Sequence, residues 1–357
     1  MTSLKLWSSG LRGEIILLVL AACAHSGEPR VRQRYDAVID PSTTLAAALA
    51  AAPPNSATPY VIFLKAGRYR EKLVVDKPNI HLVGEDRDRT IVTFDAASDT
   101  PDPEGGTYGT RGSFTIKITA PGFRARSITF ENAFDYMTNM RKPDTDPTRY
   151  RNPQGVAVML DNASDRAVFR DCNIKGNQDT LFPNAGRSYF ENCTISGHVD
   201  FIFGAGIAVF EHCTIVSVDR GRATDNGYIV APSTNVEQPY GFVFFNSRLV
   251  KDSPGMAPRS VHLGRPWHPA ADSTAVGSAV FINTWMDDHI GPVGWVRMSS
   301  LNAAGQRIWF EPTDARLFEH GSHGPGALVT PTRRQLPASD LARYNLDSIF
   351  NGWNPQR

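Results

Sequence analysis

The chain has 357 residues, of which 41% are hydrophobic and 20% are charged, and its formal net charge is +1. This composition is typical of a globular protein with one large domain or two smaller ones. Because no basic block could follow a phosphate backbone, we expect no nucleic-acid partner.

The N-terminus has the pattern of a secretory signal. Lys5 and Arg12 precede the apolar run IILLVLAA at residues 15–22, which ends in small residues. A basic start followed by a short apolar core is typical of a cleaved signal, and the run is too short to span a membrane as a helix. We therefore predict a signal peptide over residues 1–22 and an exported protein.

The tetrad LAAC at residues 20–23 also resembles the lipobox of bacterial lipoproteins. In such proteins the cysteine is lipidated and becomes the mature N-terminus, which would anchor this chain to the outer membrane through Cys23. A plain cleaved signal with an incidental cysteine is the alternative, and it would give a secreted or periplasmic protein. The polar stretch at residues 24–34 is interpreted as a tether.

Two short helices are predicted near the ends of the remaining chain. The stretch TTLAAALAAAPP at residues 43–54 is rich in alanine and ends at prolines, and PASDLARYNL at residues 337–346 has a similar helical pattern. Between them, residues 96–113 and 133–153 are rich in Asp, Pro, Gly and Thr. We predict that these two segments are long loops that form the walls of a cleft.

Three cysteines reveal an internal repeat. Cys172, Cys193 and Cys213 are 21 and 20 residues apart, within FRDCNIKG, FENCTISG and FEHCTIVS, and a phenylalanine stands three residues before each. A fixed period of this length predicts a solenoid in which each coil stacks on the next. The short alternation of β-branched and aromatic residues, broken by Gly and Asn, predicts strands. The sequence thus predicts an all-β protein, a parallel β-helix that forms one domain over residues 35–357.

Equivalent positions in stacked coils lie about 4.8 Å apart, which is within the Cα separation that a disulfide tolerates. In an exported protein, one pair could therefore be oxidised, and Cys193 with Cys213 is the candidate pair. Three buried, reduced cysteines packed as small hydrophobic residues are the alternative.

The same repeat places two carboxylates in register. Asp179 and Asp200 each follow a repeat cysteine by seven residues, so they occupy the same position in adjacent coils, and the same count from Cys213 reaches Arg220. Two close carboxylates acquire different pKa values, which separates a proton donor from an ionised nucleophile or base. Capping of turn N–H groups is the structural alternative, and carboxylate pairs also serve glycosidases.

Four motifs then resemble the pectinesterase family, in its bacterial form. They are QGVAV (154–158), GNQDTLF (176–182), SGHVDFIFG (196–204) and LGRPW (263–267). The resemblance extends from about residue 35 to the C-terminus. It implies a right-handed parallel β-helix of the pectin-lyase-like type with short flanking helices. It also implies removal of methyl esters from galacturonan, which releases methanol, without a metal or another cofactor. The implied partner is methyl-esterified polygalacturonate, and we expect a monomer.

The resemblance implies a role for each residue of the site. Asp200 would be the nucleophile, and Asp179 would protonate the departing methanol and then deprotonate water. Gln154 and Gln178 would donate hydrogen bonds to the oxyanion, while Arg265 would keep Asp200 ionised. These roles agree with elementary chemistry, because a nearby guanidinium favours an ionised carboxylate and side-chain amides donate hydrogen bonds without titrating.

The family also implies contacts with the sugar chain. They are stacking on Trp267 and Phe203, pairing of Arg220 with a free uronate, and cleft positions at Thr110, Val199 and Tyr228. His198 lies two residues before Asp200; a role in tuning that site is one interpretation, but we favour a surface histidine.

Three other functions are alternatives to the hydrolysis of pectin methyl esters. Some lipoproteins of this family resemble thioesterases, so an acyl-CoA or another (thio)ester is an alternative substrate. A non-catalytic glycan-binding β-helix is disfavoured, because every implied catalytic position is filled. A pectate lyase or polygalacturonase is disfavoured as well, because a lyase would need a cluster of calcium-binding carboxylates and neither class carries this set of motifs.

Overall fold

Short strands with alternating apolar and polar residues dominate the chain, and nearly all of them pair in parallel with the equivalent strand of the next coil. The computed structural model describes residues 34–357. The predicted signal peptide, Cys23 and all of the predicted tether except Arg34 lie outside the described residues. Residues 35–357 form one compact unit.

The strands form three long parallel sheets and one antiparallel hairpin. The ten-stranded sheet contains, in spatial order, Ala37–Ile39, Tyr60–Leu64, Ile80–Gly84, Arg124–Arg126, Ala167–Arg170, Arg187–Glu191, Ile207–Glu211, Phe242–Phe245, Ser278–Ile282 and Arg316–His320. The seven-stranded sheet contains Leu73–Val75, Ile116–Ile118, Val158–Leu160, Leu181–Pro183, Val199–Gly204, Gly227–Pro232 and Val261–Gly264. The eight-stranded sheet contains Gly67–Arg70, Thr90–Phe94, Thr129–Asn132, Asn173–Lys175, Thr194–Gly197, Thr214–Ser217, Arg248–Lys251 and Trp285–Met286. The hairpin pairs Met298–Leu301 with Arg307–Phe310.

The repeated phenylalanine forms a ladder through the core. Phe169, Phe190, Phe210, Phe244 and Phe281 are register partners in consecutive strands of the ten-stranded sheet. Each ring stacks on the next, with centroids 4.4–4.9 Å apart, and all five are buried. Equivalent residues stack because one coil repeats about 4.8 Å above the last. The predicted parallel β-helix is confirmed.

The three repeat cysteines are buried free thiols, so the predicted disulfide between Cys193 and Cys213 is not formed. The Cys193 thiol instead donates to the carbonyl oxygens of Glu191 and Phe169, at 3.4 and 3.5 Å. The prediction used only the Cα spacing and did not take the Cβ separation into account. Ladder side chains point the same way and stay about 4.8 Å apart, whereas a disulfide needs Cβ atoms about 3.5–4.5 Å apart.

Helices are few and short. The α-helices are Leu45–Ala51, Gly109–Gly112, Tyr136–Arg141, Ala338–Leu341 and Leu346–Phe350, and 3₁₀ turns occur at Pro269–Ala271 and Pro312–Asp314. The first predicted helix is confirmed: the Thr44 hydroxyl oxygen accepts from the Ala47 N–H at 3.2 Å and caps it. The predicted helix at 337–346 is shorter, and a second helix follows it. In residues 34–357 no helix is both long and apolar enough to cross a membrane.

The C-terminal segment packs on the ten-stranded sheet. Leu336, Ile349 and Phe350 are buried there against a stripe of side chains from five neighbouring strands, namely Val168, Tyr189, Val209, Val243 and Val280. Arginines of earlier coils donate to backbone carbonyls of this segment, from Arg187 to Phe350 at 2.6 Å and from Arg124 to Arg357 at 2.6 Å. The end of the chain therefore links coils that are distant in sequence.

Candidate active site

A cavity of about 600 Å³ lies over the seven-stranded sheet. It is lined by Tyr108, Gly109, Thr110, Arg111, Gln154, Gln178, Asp179, Phe182, Asp200, Phe203, Ala231, Arg265, Trp267 and Met298. The loop at 96–113 forms one wall, as predicted. The loop at 133–153 does not line this cavity; it borders a separate one that includes Phe134 and Tyr150. The hairpin, through Met298, takes the place of the second wall.

Asp179 and Asp200 occupy equivalent positions in adjacent coils. Leu181 and Ile202 are register partners, and Asp179 and Asp200 each lie two residues before one of them. The N–H of Asp179 also donates to the carbonyl oxygen of Val199, at 3.1 Å. Both aspartates have left-handed backbone conformations, with φ of 64° and 49°. Aspartate adopts this conformation more readily than most residues, and Asp171, outside the cavity, has it as well, so the conformation does not by itself mark the site.

Arg265 pairs with only one of the two aspartates. Its Nε donates to Asp200 Oδ1 at 2.9 Å, and its Nη2 donates to Asp200 Oδ2 at 2.6 Å. The guanidinium also lies 4.0 Å from the centroid of the Tyr228 ring, which fixes its plane. This bidentate geometry is the strongest form of arginine–carboxylate contact, and it directs the positive charge at Asp200.

Asp179 lies in a different electrostatic environment. Burial raises its pKa well above the ordinary value, the negative charge of Asp200 raises it further, and Arg265 opposes the shift. The protonated form of Asp179 is therefore favoured. One carboxyl group that holds its proton thus stands beside one that faces a cation.

Two side-chain amides complete the polar part of the cavity. Gln154 and Gln178 lie in adjacent coils, since the N–H of Gly155 donates to the Gln178 carbonyl at 3.0 Å. The Gln154 Oε1 is buried and has no hydrogen-bond partner. Amide N–H groups that face a cavity beside a nucleophile can stabilise a developing oxyanion.

An aromatic floor, defined here as Phe182, Phe203 and Trp267, continues the cavity beyond the aspartates. The rings of Phe182 and Phe203 stack with centroids 4.0 Å apart and planes 14° apart. The Trp267 ring lies 5.6 Å from Phe203 and 6.2 Å from Phe182. Phe182 and Phe203 are only 1% and 4% exposed, whereas Trp267 is partly buried, so Trp267 presents most of the apolar surface that can pack against the face of a sugar.

Comparison with known proteins identifies the family. A family model described as Pectinesterase matches residues 39–330. The chain is 41% identical to pectinesterase A of Dickeya dadantii (strain 3937) over 356 residues, which covers 95% of this chain and 96% of that protein. The chain belongs to the pectinesterase family.

Two solved structures support the pectinesterase assignment and the fold. A pectin methylesterase from Yersinia enterocolitica is 46% identical, with a TM-score of 0.83, and the match covers 87% of this chain and 99% of that one. A pectin methylesterase crystallised in complex with hexasaccharide VII is 41% identical, with a TM-score of 0.87, and the match covers 90% of this chain and 98% of that one.

Most residues predicted from the pectinesterase motifs meet at the cavity. The five residues predicted to act in catalysis line it, as do the predicted sugar contacts Thr110, Phe203 and Trp267; the five are Asp179, Asp200, Arg265, Gln178 and Gln154. Val199 and Tyr228 lie beside it instead: they are register partners, Val199 precedes Asp200, and Tyr228 supports Arg265.

The predicted ladder position of Arg220 is wrong. Residues 218–226 form a connection between strands that lengthens this coil, so Tyr228 is the residue that pairs with Val199. Arg220 lies in that connection, and its guanidinium donates to the carbonyls of Asn226 and Asp225 at 2.7 and 2.6 Å. The positive charge that completes the site comes one coil later, from Arg265.

His198 is not a surface residue in this pectinesterase. It is fully buried, its ring centroid lies 4.1 Å from that of Tyr136, and neither ring nitrogen has a hydrogen-bond partner. Burial lowers its pKa to about 3, and the charges of Arg220 and Arg222 act in the same direction. The imidazole is therefore neutral and supports the strand that carries Asp200.

Six residues of the cavity were not predicted from the sequence, namely Tyr108, Gly109, Arg111, Phe182, Ala231 and Met298. Tyr108 and Arg111 flank the predicted Thr110, and the motif GTRGS at 109–113 was the available signal for Arg111. Met298 reaches the cavity through the antiparallel hairpin, for which no sequence motif was recognised.

Proposed function

We propose that the protein is a pectinesterase that hydrolyses the methyl esters of polygalacturonate through a covalent intermediate on Asp200. The observation that carries this proposal is the unequal pair of aspartates: Asp200 is paired with Arg265, whereas burial raises the pKa of Asp179. An ionised nucleophile beside a protonated carboxyl group is what ester cleavage in two steps requires. The relatives named above act as pectinesterases, and one binds a hexasaccharide.

In the first step, an oxygen of the Asp200 carboxylate attacks the carbonyl carbon of the methyl ester. The carbonyl oxygen becomes an oxyanion, to which the amides of Gln154 and Gln178 donate; one such donor is worth about 3 kcal/mol. The tetrahedral intermediate collapses, the bond to the methoxy group breaks, and Asp179 gives its proton to that group. Methanol leaves, and the galacturonyl group remains attached to Asp200 as an anhydride.

In the second step, water attacks the same carbon. Asp179 is now a carboxylate and takes a proton from the water as it adds, and the bond to Asp200 breaks. The products are the free galacturonic acid unit, a regenerated Asp200 carboxylate and a protonated Asp179. The net reaction consumes one water and one ester and yields one acid and one methanol.

Replacement of either aspartate tests this mechanism. Asp200→Asn and Asp179→Asn should each reduce methanol release from highly methylated pectin by about 100-fold to 10,000-fold, because each removes a group that acts in the transition state. Asp171→Asn is the matched control, since Asp171 has a similar backbone conformation, with φ of 51°, but lies outside the cavity. Near-normal activity of either site variant would contradict the mechanism.

Absence of methanol release from the folded wild-type chain would exclude pectin as the substrate. The unequal pair could still cleave another ester, and acyl-CoA thioesters would then be assayed with the same three variants. Loss of thioester hydrolysis in Asp200→Asn would place the same nucleophile in the alternative reaction.

We further propose that the chain is exported by the signal at residues 1–22, lipidated at Cys23, anchored to the outer membrane by the tether at 24–34, and active as a monomer. The motif LAAC supports lipidation. Labelling with radioactive palmitate in a bacterial host should mark the wild-type chain in the membrane fraction. Cys23→Ser should be unlabelled and soluble; an unlabelled, soluble wild type would favour a plain cleaved signal instead.

A further inference from the structure

Arg111 lies between two cavities. It lines the catalytic cavity and also a second cavity of about 290 Å³, and Trp267 is shared between the two in the same way. The lining of the second cavity is mixed: Ala205, Pro269 and Ala275 are apolar, and the polar residues are Asn184, Ser233, Asn235, Asp272 and Thr274. The two cavities thus adjoin at Arg111 and Trp267, as the binding positions of neighbouring sugar rings in one chain would.

The order of features along this path follows the strands. Phe182 comes three residues after Asp179, and Phe203 comes three after Asp200. At about 3.3 Å per residue of extended strand, the Cα atoms of these phenylalanines lie at most about 10 Å from those of the aspartates, whose left-handed backbone shortens the path. The floor therefore lies beside the catalytic carboxylates, where a sugar next to the one that carries the reacting ester can bind.

Arg111 is anchored above the aromatic floor by only part of its set of N–H donors. Its Nη1 donates to Asp161 Oδ2 at 2.9 Å, and Asp161 Oδ1 accepts from Asn184 Nδ2 at 2.9 Å. The Asp161 side chain is only 11% exposed, whereas that of Arg111 is 59% exposed. The guanidinium carbon lies 5.2 Å from the centroid of the Phe182 ring. A guanidinium has five N–H donors, so one anchoring bond leaves a ligand-binding edge free.

We infer that Arg111 binds the free carboxylate of a de-esterified galacturonate unit on the aromatic floor while a methyl-esterified unit reacts at Asp200. The inference rests on the proposed function. A guanidinium forms charge-assisted, often bidentate hydrogen bonds with a carboxylate, but it gains no ion pair from a neutral methyl ester. Arg111 is thus assigned as a specificity-determining residue that distinguishes esterified from de-esterified neighbours.

The second cavity extends this charge pattern. Its Asp272 side chain accepts from the backbone N–H and the hydroxyl of Thr274, both at 2.8 Å, which stabilises the ionised form. A negative charge there disfavours another free carboxylate and suits a neutral, esterified unit with its hydroxyl groups. The favoured substrate therefore carries a free carboxylate at Arg111 between esterified units.

The kinetic test compares two hexagalacturonides, one fully methyl-esterified and one partly de-esterified. Arg111→Gln should lower kcat/KM for the partly de-esterified substrate about tenfold, mainly through KM, because a charge-assisted hydrogen bond is lost. For the fully esterified substrate the change should stay below about twofold. Arg126→Gln, which removes an exposed arginine of the ten-stranded sheet, is the control and should change neither value. An equal loss for both substrates, or no loss for either, would overturn the inference.

Calorimetric binding of fully de-esterified hexagalacturonide separates this inference from the proposed function. Arg111→Gln should weaken binding about tenfold, and Arg111→Lys, which keeps the charge, should restore part of it. If the wild type binds the de-esterified hexagalacturonide more tightly than Arg111→Gln does but releases no methanol from pectin, the esterase proposal fails and the Arg111 subsite stands. If methanol is released while Arg111→Gln binds as tightly as wild type, the subsite is wrong. Equal thermal unfolding temperatures of the variants would exclude misfolding as the cause of weaker binding.

Discussion

At the scale of single residues, one arginine gives different electrostatic environments to two aspartates that occupy equivalent positions in the fold. Asp179 and Asp200 share their register and their left-handed backbone conformation, so neither property assigns a role. The bidentate contact of Arg265 is made to Asp200 alone, at 2.9 and 2.6 Å. The asymmetry therefore comes from a residue more than sixty positions later in the chain, which is why the repeat identified the pair but only the family motif LGRPW assigned the roles.

The raised pKa of Asp179 predicts a pH-dependent cost to stability. A carboxyl group whose pKa is higher in the folded chain binds its proton more tightly there than in the unfolded chain. Its destabilising effect is absent below the unfolded value of about 3.8 and grows as the pH rises from there towards the folded pKa. Each pKa unit of difference is worth about 1.4 kcal/mol. Asp179→Asn removes the titrating group and should be more stable than wild type at neutral pH.

Urea unfolding of both proteins at about pH 4, 5.5 and 7 measures this cost through their free energies of unfolding. The advantage of Asp179→Asn should be largest at neutral pH and shrink towards the acidic end. Asp171→Asn is the comparison variant, because the Asp171 side chain is 42% exposed; the trend is specific to the buried site if Asp179→Asn alone shows it. A difference that stays constant with pH would mean that the asparagine acts through packing and not through titration.

At the scale of secondary-structure elements, prediction succeeded where the period of the repeat was constant. The coils of Cys172, Cys193 and Cys213 are 21 and 20 residues apart, and within them the strand register followed from counting. The next coil contains the connection at 218–226, and the same counting placed Arg220 wrongly. Residues inserted into a solenoid coil form loops that project from it, so the stack of strands is unchanged. Counting by the repeat period therefore cannot detect an insertion.

The walls of the cavity were predictable only in part, because loop composition does not determine loop direction. Both long loops are rich in Asp, Pro, Gly and Thr, yet only the loop at 96–113 reaches the site, while the hairpin residue Met298 forms a wall that was not predicted. The hairpin is positioned by tertiary packing, since Phe310 stacks on the ring of His268 at 3.5 Å, next to Trp267. Contacts of this kind are specified by side chains distant in sequence and leave no local pattern.

At the scale of the whole molecule, contacts between neighbouring coils dominate, as in any solenoid. The C-terminal segment is the exception. From Leu336 onwards it returns along the ten-stranded sheet and is bound by Arg187, Arg170 and Arg124, which belong to progressively earlier coils. Because one segment contacts many coils, it couples their stability, and the protein should unfold cooperatively instead of coil by coil.

Phe350→Ala tests that coupling. Phe350 belongs to the C-terminal segment and is fully buried against the ten-stranded sheet, with its ring centroid 6.3 Å from that of Tyr189 and 4.8 Å from that of Trp353. Truncation of a buried phenylalanine costs about 3–5 kcal/mol of stability. We expect the midpoint of urea unfolding to fall by the corresponding amount, in one transition that tryptophan fluorescence and circular dichroism report alike.

The kcat/KM of the folded Phe350→Ala variant should stay near that of wild type, because the cavity lies on the seven-stranded sheet and the tail on the ten-stranded one. Val329→Ala is the control: Val329 is 77% exposed, so its truncation should change stability by less than about 0.5 kcal/mol. A separate early transition in Phe350→Ala, with the main transition at the wild-type midpoint, would contradict the coupling, because the C-terminal segment would then unfold on its own. An unchanged midpoint would instead show that the coils hold together without it, through stacked ladders such as the one formed by the five phenylalanines.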